Sequence, residues 1–444
     1  MPCRVFEFSS PDQWNELAGV LQKRNTENPK IESAVVEIIR QVRERGDDAL
    51  VEYSRRFDCP DFRITDLKVP YKQLRDAALA ISEEDSLLIE EAVGNIRAFH
   101  AAQVERSWFR TSPAGNIIGQ EVKPVSAAGL YIPGGQGGNT PLISTLLMTA
   151  IPALEAGVKR VVVVSPPGAD GKLNKYLLAT AHILGISEVY AVGSAWAVAA
   201  LAFGTNSIAP VDVIAGPGNI YVTCAKRLVS GRVGIDMLAG PSEILIIADE
   251  AASPALVAAD MLSQAEHDPM ASAVCISESG KLLKDIAAEL EKLLAGLPRA
   301  EIAESSLKNW GALVKVEDLD QAVGLANLIA PEHLELMIAN PWDLLGKVQN
   351  AGAVFLGANT PEAMGDYFAG PNHVLPTMGT ARFSSSLSVQ TFCKRINVIY
   401  SSAQYAEASA PKIARLARLE GLEAHARSAE LRSVPKPQTG ISKE

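Results

Sequence analysis

From Ser126 to about Leu356 the chain alternates short runs of valine and isoleucine with alanine- and leucine-rich stretches of helical length, and few folds accommodate that alternation. The first series of runs is Gly129 to Ile132, Val161 to Ser165, Val189 to Val192 and Val211 to Ala215. Nearly continuous apolar runs suit strands buried on both faces, and the stretches between them supply the crossover helices that parallel strands require. A second series follows at Ile244 to Ala248, Ala273 to Ser277, Ala312 to Val316 and Ala353 to Leu356, with Leu256 to His267 and Leu282 to Leu294 reading as helices. An α/β chain built on parallel sheets is expected.

The flanks read differently. Ile31 to Phe57 and Glu83 to Phe99 are charged and amphipathic, as in helices with one apolar face. After about Asn397 the chain reads as helical again and ends in a polar stretch, Val434 to Glu444, expected to be disordered. With 444 residues, 48% of them hydrophobic, two or three domains are expected. A net charge of -10 without a basic cluster argues against nucleic acid or an anionic membrane as partner. Runs such as Val161 to Val164 fall far short of the roughly 18 residues of a spanning helix, and Met1-Pro2-Cys3-Arg4 opens no signal-peptide apolar region. A soluble cytoplasmic protein is the expectation. The five cysteines are scattered and never spaced Cys-x-x-Cys, which disfavours a disulfide framework and a thiolate zinc site.

Histidine carries the chemistry signal. The chain has six, and four stand near carboxylates or amides: Gln264 to His267, Glu332-His333, Asp366 with His373, and Glu420 with His425. Histidine binds metals and moves protons near neutral pH, so rare histidines grouped with acids suggest one assembled site. Gln264 and His267, three apart at a helix end, can reach the same ion, although a plain helix C-terminus explains them equally well. Glu332-His333 follows Pro331, at the entry of a helix or turn where a general base can be held; taken alone, a surface pair is the blander reading. Asp366 lies among glycines and prolines and is expected on a loop. His425 is expected on a helix from Ile413 to Leu431, five residues after Glu420. Two glycine-rich stretches, Gly134 to Gly138 and Gly216 to Asn219, each follow an expected strand, where open α/β sheets bind ligands. Neither is a G-x-G-x-x-G fingerprint, so nucleotide binding and tight turns both remain open.

Read together, Gly216 to Lys226, Ile235 to Glu243, Leu262 to His267, Pro331-Glu332-His333-Leu334, Gly370 to Pro376 and Phe383-Ser384-Ser385 resemble the histidinol dehydrogenase family, in order and over about Ile31 to Arg432. The resemblance implies two Rossmann-like parallel-sheet domains, one inserted in the other, with small helical terminal segments. The expected division is a helical segment at 1–24, a discontinuous catalytic α/β domain at 25–127 and 238–385, an inserted nucleotide-binding domain at 128–237, and a helical dimerisation segment at 386–444. It implies one zinc per active site on Gln264, His267, Asp366 and His425, and an acid–base pair of Glu332 and His333. Substrate contacts carry over to Ser242, Gln264, His267, His333, Asp366, Glu420 and His425, and NAD contacts to Tyr131 and Asn219.

At one position the chain departs from the family. Gly193-Ser194-Ala195-Trp196 stands where a Gly-Gly-Ala-Gln sequence is common, so the indole of Trp196 replaces an amide toward NAD. An indole still offers one donor and a stacking face. The loop Gln136 to Pro141 is also longer than in some members. The activity implied is four-electron oxidation of L-histidinol through L-histidinal to L-histidine by an intertwined homodimer. The alternatives are a related zinc dehydrogenase for another small alcohol, such as a dihydroxypropane sulfonate, and a silent subunit. Loss of Glu420 or His425 would favour the first and loss of Glu332 or His333 the second, yet all four are present.

Overall fold

The computed structural model describes residues 2–24, 28–134 and 142–433. The loop Gln136 to Pro141, most of the Gly134 to Gly138 stretch and the polar tail Val434 to Glu444 lie outside the described residues. Along the chain the strands are β1 (Arg4–Glu7), β2 (Trp108–Thr111), β3 (Ile117–Pro124), β4 (Ala127–Tyr131), β5 (Arg160–Ser165), β6 (Glu188–Ala191), β7 (Val213–Ala215), β8 (Gly234–Ile235), β9 (Glu243–Ala248), β10 (Ser272–Ser277), β11 (Ala312–Lys315), β12 (His333–Met337), β13 (Ala353–Leu356) and β14 (Cys393–Tyr400). They fall into two compact units, 1–104 with 125–392, and 105–124 with 393–444.

The first unit holds both parallel sheets. One has the order β1-β11-β10-β9-β12-β13 and the other β6-β5-β4-β7-β8, with every pairing parallel. The apolar runs lie where sandwiched strands belong: β9, β10 and β12 are buried along their whole lengths, as is β4. Each fully buried valine or isoleucine there contributes about 1.5–3 kcal/mol relative to exposure. In the second sheet β5 and β6 extend to one side of β4 while β7 and β8 lie on the other. The order therefore reverses beside β4, and the carboxyl ends of β4 and β7 are where open α/β sheets form a binding crevice.

Several local expectations are corrected. The first residues, expected to be helical, supply edge strand β1, paired with β11; Val5, Phe6 and Phe8 favour an extended chain there. The amphipathic stretch Ile31 to Phe57 is two helices, Pro29–Arg45 and Asp47–Phe57, parted at Gly46, whose φ of 55° a helix interior does not allow. Glu332-His333 opens no helix: His333 begins β12, opposite Ile244 of β9 and Ala353 of β13.

The second unit is an antiparallel sheet, β14-β3-β2, with the helices Ala403–Leu419 and Glu423–Glu430. The stretch expected to be helical thus begins with a strand, β14. The single helix expected from Ile413 to Leu431 is broken at Gly421, with φ 75°, leaving Glu420 at the end of one helix and His425 in the first turns of the next.

Candidate active site

The acid–base candidates assemble at the amino-terminal edge of the first sheet. Ser242 and Glu243 stand where β9 begins, Glu332 and His333 where β12 begins. The helix Pro254–Ala265, which follows β9, must run back toward that edge to reach the start of the next parallel strand, so its last turn brings Gln264 level with them. His267 follows two residues past the helix end, in the turn that leads to β10. A site on this edge is not what the glycine loops at strand carboxyl ends suggest, and only the histidines point to it.

His333 is buried, and the Nδ1 of its ring lies 2.9 Å from the main-chain oxygen of Glu243. A carbonyl can only accept, so Nδ1 carries the proton and Nε2 presents a lone pair. That Nε2 has no hydrogen-bond partner among the described residues, and it lies 3.8 Å from Oε1 of Glu362, which also has none. Burial, partly offset by the Asp366 charge and the Glu243 carbonyl, lowers the His333 pKa and keeps the ring neutral. Glu332 places Oε2 3.7 Å from Nδ1 of His333 and accepts the Glu243 amide at 2.9 Å. Burial raises its carboxyl well above the ordinary range, against that one stabilising hydrogen bond.

Asp366 lies on a short helix, Glu362–Tyr367, and not on the loop expected from its glycines and prolines. Glu362 and Asp366 are four apart on it, so both carboxyls face one side. Their oxygens and a ring nitrogen of His333 all come within 4.8 Å of one another. Burial works to raise Asp366, but the hydrogen bond from His373, with Nδ1 3.4 Å from Oδ1, and the nearby histidines outweigh it and hold the carboxyl below its usual range. Glu362 is pushed up to about 7, chiefly by burial, and accepts from Ser263 at 3.2 Å. Sequence reasoning passed over Glu362; the Glu-x-x-x-Asp spacing was the available signal. A cavity of about 130 Å³ is lined by His333, Phe355, Met364, Asp366, Asn372 and His373 among others.

Gln264 is fully buried and its Oε1 has no partner among the described residues, while its Nε2 lies 3.4 Å from Nδ1 of the exposed His267. An orphaned buried amide oxygen beside imidazole and carboxylate is a donor set of nitrogen and oxygen without thiolate, which fits a divalent cation. Glu420 and His425 belong to the second unit and are exposed there.

Toward the second sheet, Tyr131 ends β4, Asn219 caps the helix after β7 and Trp196 lies in the first turn of the helix after β6. The Asn219 side chain accepts from the amides of Tyr221 and Val222, and the Tyr131 hydroxyl accepts from the Ser194 amide. Trp196 is only 4% exposed and packs against Tyr53 and Phe57, with ring centroids 5.4 and 5.6 Å away. Its Nε1 has no partner among the described residues.

Comparison with known proteins places these features in one family. A model of the family described as histidinol dehydrogenase matches residues 21–433. The histidinol dehydrogenase of Nitratidesulfovibrio vulgaris is 59% identical, over 98% of this chain and 99% of its own. That of Oleidesulfovibrio alaskensis is 58% identical, over 97% of this chain and all of its own. The crystal structure of histidinol dehydrogenase from Elizabethkingia anophelis superposes with a TM-score of 0.91 at 35% identity, covering 97% of this chain and 98% of that one. With the buried Glu332 and His333, the orphaned amide and the two parallel sheets already in place, the match over nearly the whole length shows that the chain belongs to the histidinol dehydrogenase family.

Proposed function

We propose that this enzyme oxidises L-histidinol through L-histidinal to L-histidine, the last steps of histidine biosynthesis, with NAD as oxidant and one zinc per site. The observation that carries the reading is the tautomer of His333, whose proton is pinned on Nδ1 and whose Nε2 is left as a base beside buried Glu332. In the first oxidation His333 Nε2 takes the hydroxyl proton of the alcohol. In the second, Glu332 removes a proton from the water that adds to the aldehyde, and His333, having released its first proton to solvent, takes the hydroxyl proton of the hydrate. A carboxyl raised by burial is a stronger base once ionised, which suits the Glu332 role. The cavity walls hold the aldehyde out of bulk water between the steps.

Gln264, His267 and Asp366 would hold the zinc, with His425 of a second copy as fourth ligand. The orphaned Gln264 oxygen supports this assignment. Zinc supplies a Lewis acid and an anchor for the substrate's amine and imidazole nitrogens. Ser242 and Glu420 complete the substrate contacts. Tyr131, Trp196 and Asn219 stand toward NAD, supported by their places after β4, β6 and β7 around the crevice. The Trp196 ring packs on Tyr53 and Phe57, and its N–H, without a partner among the described residues, is a donor toward the cofactor. NAD supplies the hydride acceptor in both steps. Homodimeric assembly completes the reading, with a small-molecule substrate and no nucleic-acid or membrane partner.

Two measurements test it. Turnover of histidinol and histidinal should fall about 10²–10⁴-fold in His333→Asn, while Glu332→Gln should lose histidinal oxidation and spare histidinol oxidation. Equal losses on both substrates in Glu332→Gln would remove its assigned role. Metal analysis should find one zinc per chain, lost in His267→Asn and kept in Glu362→Gln. The reverse pattern would move the ion to the His333, Glu362 and Asp366 cluster.

A further inference from the structure

We propose that Arg24 and Glu243 are positioning residues for both oxidations, locking from behind the peptide that holds the two proton-transferring groups; the inference rests on the acid–base reading of Glu332 and His333. Glu243 holds both through its main chain: its N–H donates to Oε2 of Glu332 at 2.9 Å and its carbonyl accepts from Nδ1 of His333 at 2.9 Å. A rotation of that residue's backbone would therefore release the His333 tautomer and swing the Glu332 carboxyl together. The residue stands at the very start of β9, preceded in the ladder by the bond from the Ser272 amide to the Ser242 carbonyl at 3.0 Å.

Its side chain adds a second restraint. One carboxylate oxygen is ion-paired to Nη2 of Arg24, and the other accepts the Met378 amide at 3.2 Å. Arg24 is fixed in turn, with Nε on the Leu21 carbonyl at 3.1 Å and Nη1 on the Met270 carbonyl at 3.3 Å. Met270 lies in the turn that follows Gln264 and His267. One planar guanidinium thus ties the end of the helix Trp14–Gln22, the turn behind the metal candidates and the start of β9. Arg24 is 5% exposed and Glu243 is 4% exposed. A buried ion pair is a poor stabiliser compared with apolar residues of the same volume. Its value here lies in geometry, because it joins the residue that holds the acid–base pair to the turn behind the metal candidates.

The experiment compares Arg24→Met, Arg24→Lys and the apolar double variant Arg24→Met with Glu243→Leu, each zinc-loaded, by thermal melting and by steady-state turnover of histidinol and histidinal. Arg24→Met should lower kcat about a hundredfold on both substrates, the scale of a 1 Å misplacement, with KM changed less than about threefold. Arg24→Lys should recover part of the loss, since an ammonium restores the charge but not the fork. The double variant covers the case in which Arg24→Met does not fold: it should melt near the wild type yet stay slow. Wild-type kcat in a folded double variant, or a loss confined to KM, would overturn the proposal. Full turnover in His333→Asn and Glu332→Gln would instead overturn the acid–base reading, whatever the Arg24 variants do.

Discussion

Glu335 lies two residues beyond His333 on β12, so its side chain leaves the same face of the sheet, and it is 1% exposed. Burial pushes its carboxyl up to about 9, helped by the neighbouring Asp260, which burial raises to about 6. Two neighbouring buried carboxyls do not both ionise, and Glu335 is the one that keeps its proton, while its Oε1 accepts the Glu362 amide at 2.9 Å. A neutral acid thus anchors the first residue of the helix that carries Glu362 and Asp366. Linkage fixes the sign of the pH effect. An unfolded glutamate releases its proton near 4.5, whereas the native one holds it to about 9, so its contribution to stability is full below the first value and lost as pH rises through the second. His333, lowered by burial, acts oppositely and costs stability as pH falls below its ordinary 6.5, so the diagnostic is a difference between proteins. Glu335→Gln should melt higher relative to wild type at about pH 9 than at about pH 5. Parallel melting curves across that range would show that the proton is absent. This residue pattern was hidden in sequence, because His333 and Glu335 share a face only once the segment is known to be a strand.

At the scale of elements, the valine and isoleucine runs placed most strands of both sheets, since a strand covered on two faces must be apolar nearly throughout. Three of the strands that escaped break that rule for identifiable reasons. β12 carries His333 and Glu335 inside a buried strand, β1 is a four-residue edge, and most of β14 is exposed. The glycine stretch after β7 was legible as a loop, but whether it served a ligand or the fold was not. Gly216 serves the fold directly: its φ is 117°, and a Cβ there would lie 2.1 Å from the Tyr131 carbonyl oxygen. Its amide donates to Asp236 Oδ2 at 2.7 Å, and its carbonyl accepts from buried Lys226 at 3.0 Å, itself ion-paired to Asp236. The neighbour in the way is backbone, which yields only if the strand itself moves. Gly216→Ala should therefore cost about 3 kcal/mol in urea unfolding and shift β4 against β7 at the crevice. Weaker NAD binding in a direct titration should accompany it, and a loss under about 0.5 kcal/mol would show that the loop has more freedom than this geometry allows.

At the scale of the whole molecule, the second unit buries alanines and leaves its larger apolar side chains open. Its buried apolar cluster consists of Ala414, Ala417 and Ala426, while Ile399 is 80% exposed and Leu431 75% exposed, with Phe109, Leu416 and Leu419 also open to solvent. Large apolar side chains left uncovered over a small sheet and two helices mark a surface made to be buried against protein. The same unit carries Glu420, a candidate substrate contact, and His425, the candidate fourth zinc ligand. A second copy would cover the apolar surface and receive these residues at once, and two-fold symmetry would make two shared sites. The competing possibility is that each chain completes its own site. Mixing separates the two. His425→Ala and His267→Ala should each be inactive alone, but a dimer with one chain of each kind joins the intact His267 of the first to the intact His425 of the second. Random exchange makes half of the dimers mixed, with one good site in each, so activity and bound zinc should both recover to about a quarter of wild type. Mixed dimers verified by differential tags that stay inactive and metal-poor would show that all four ligands come from one chain.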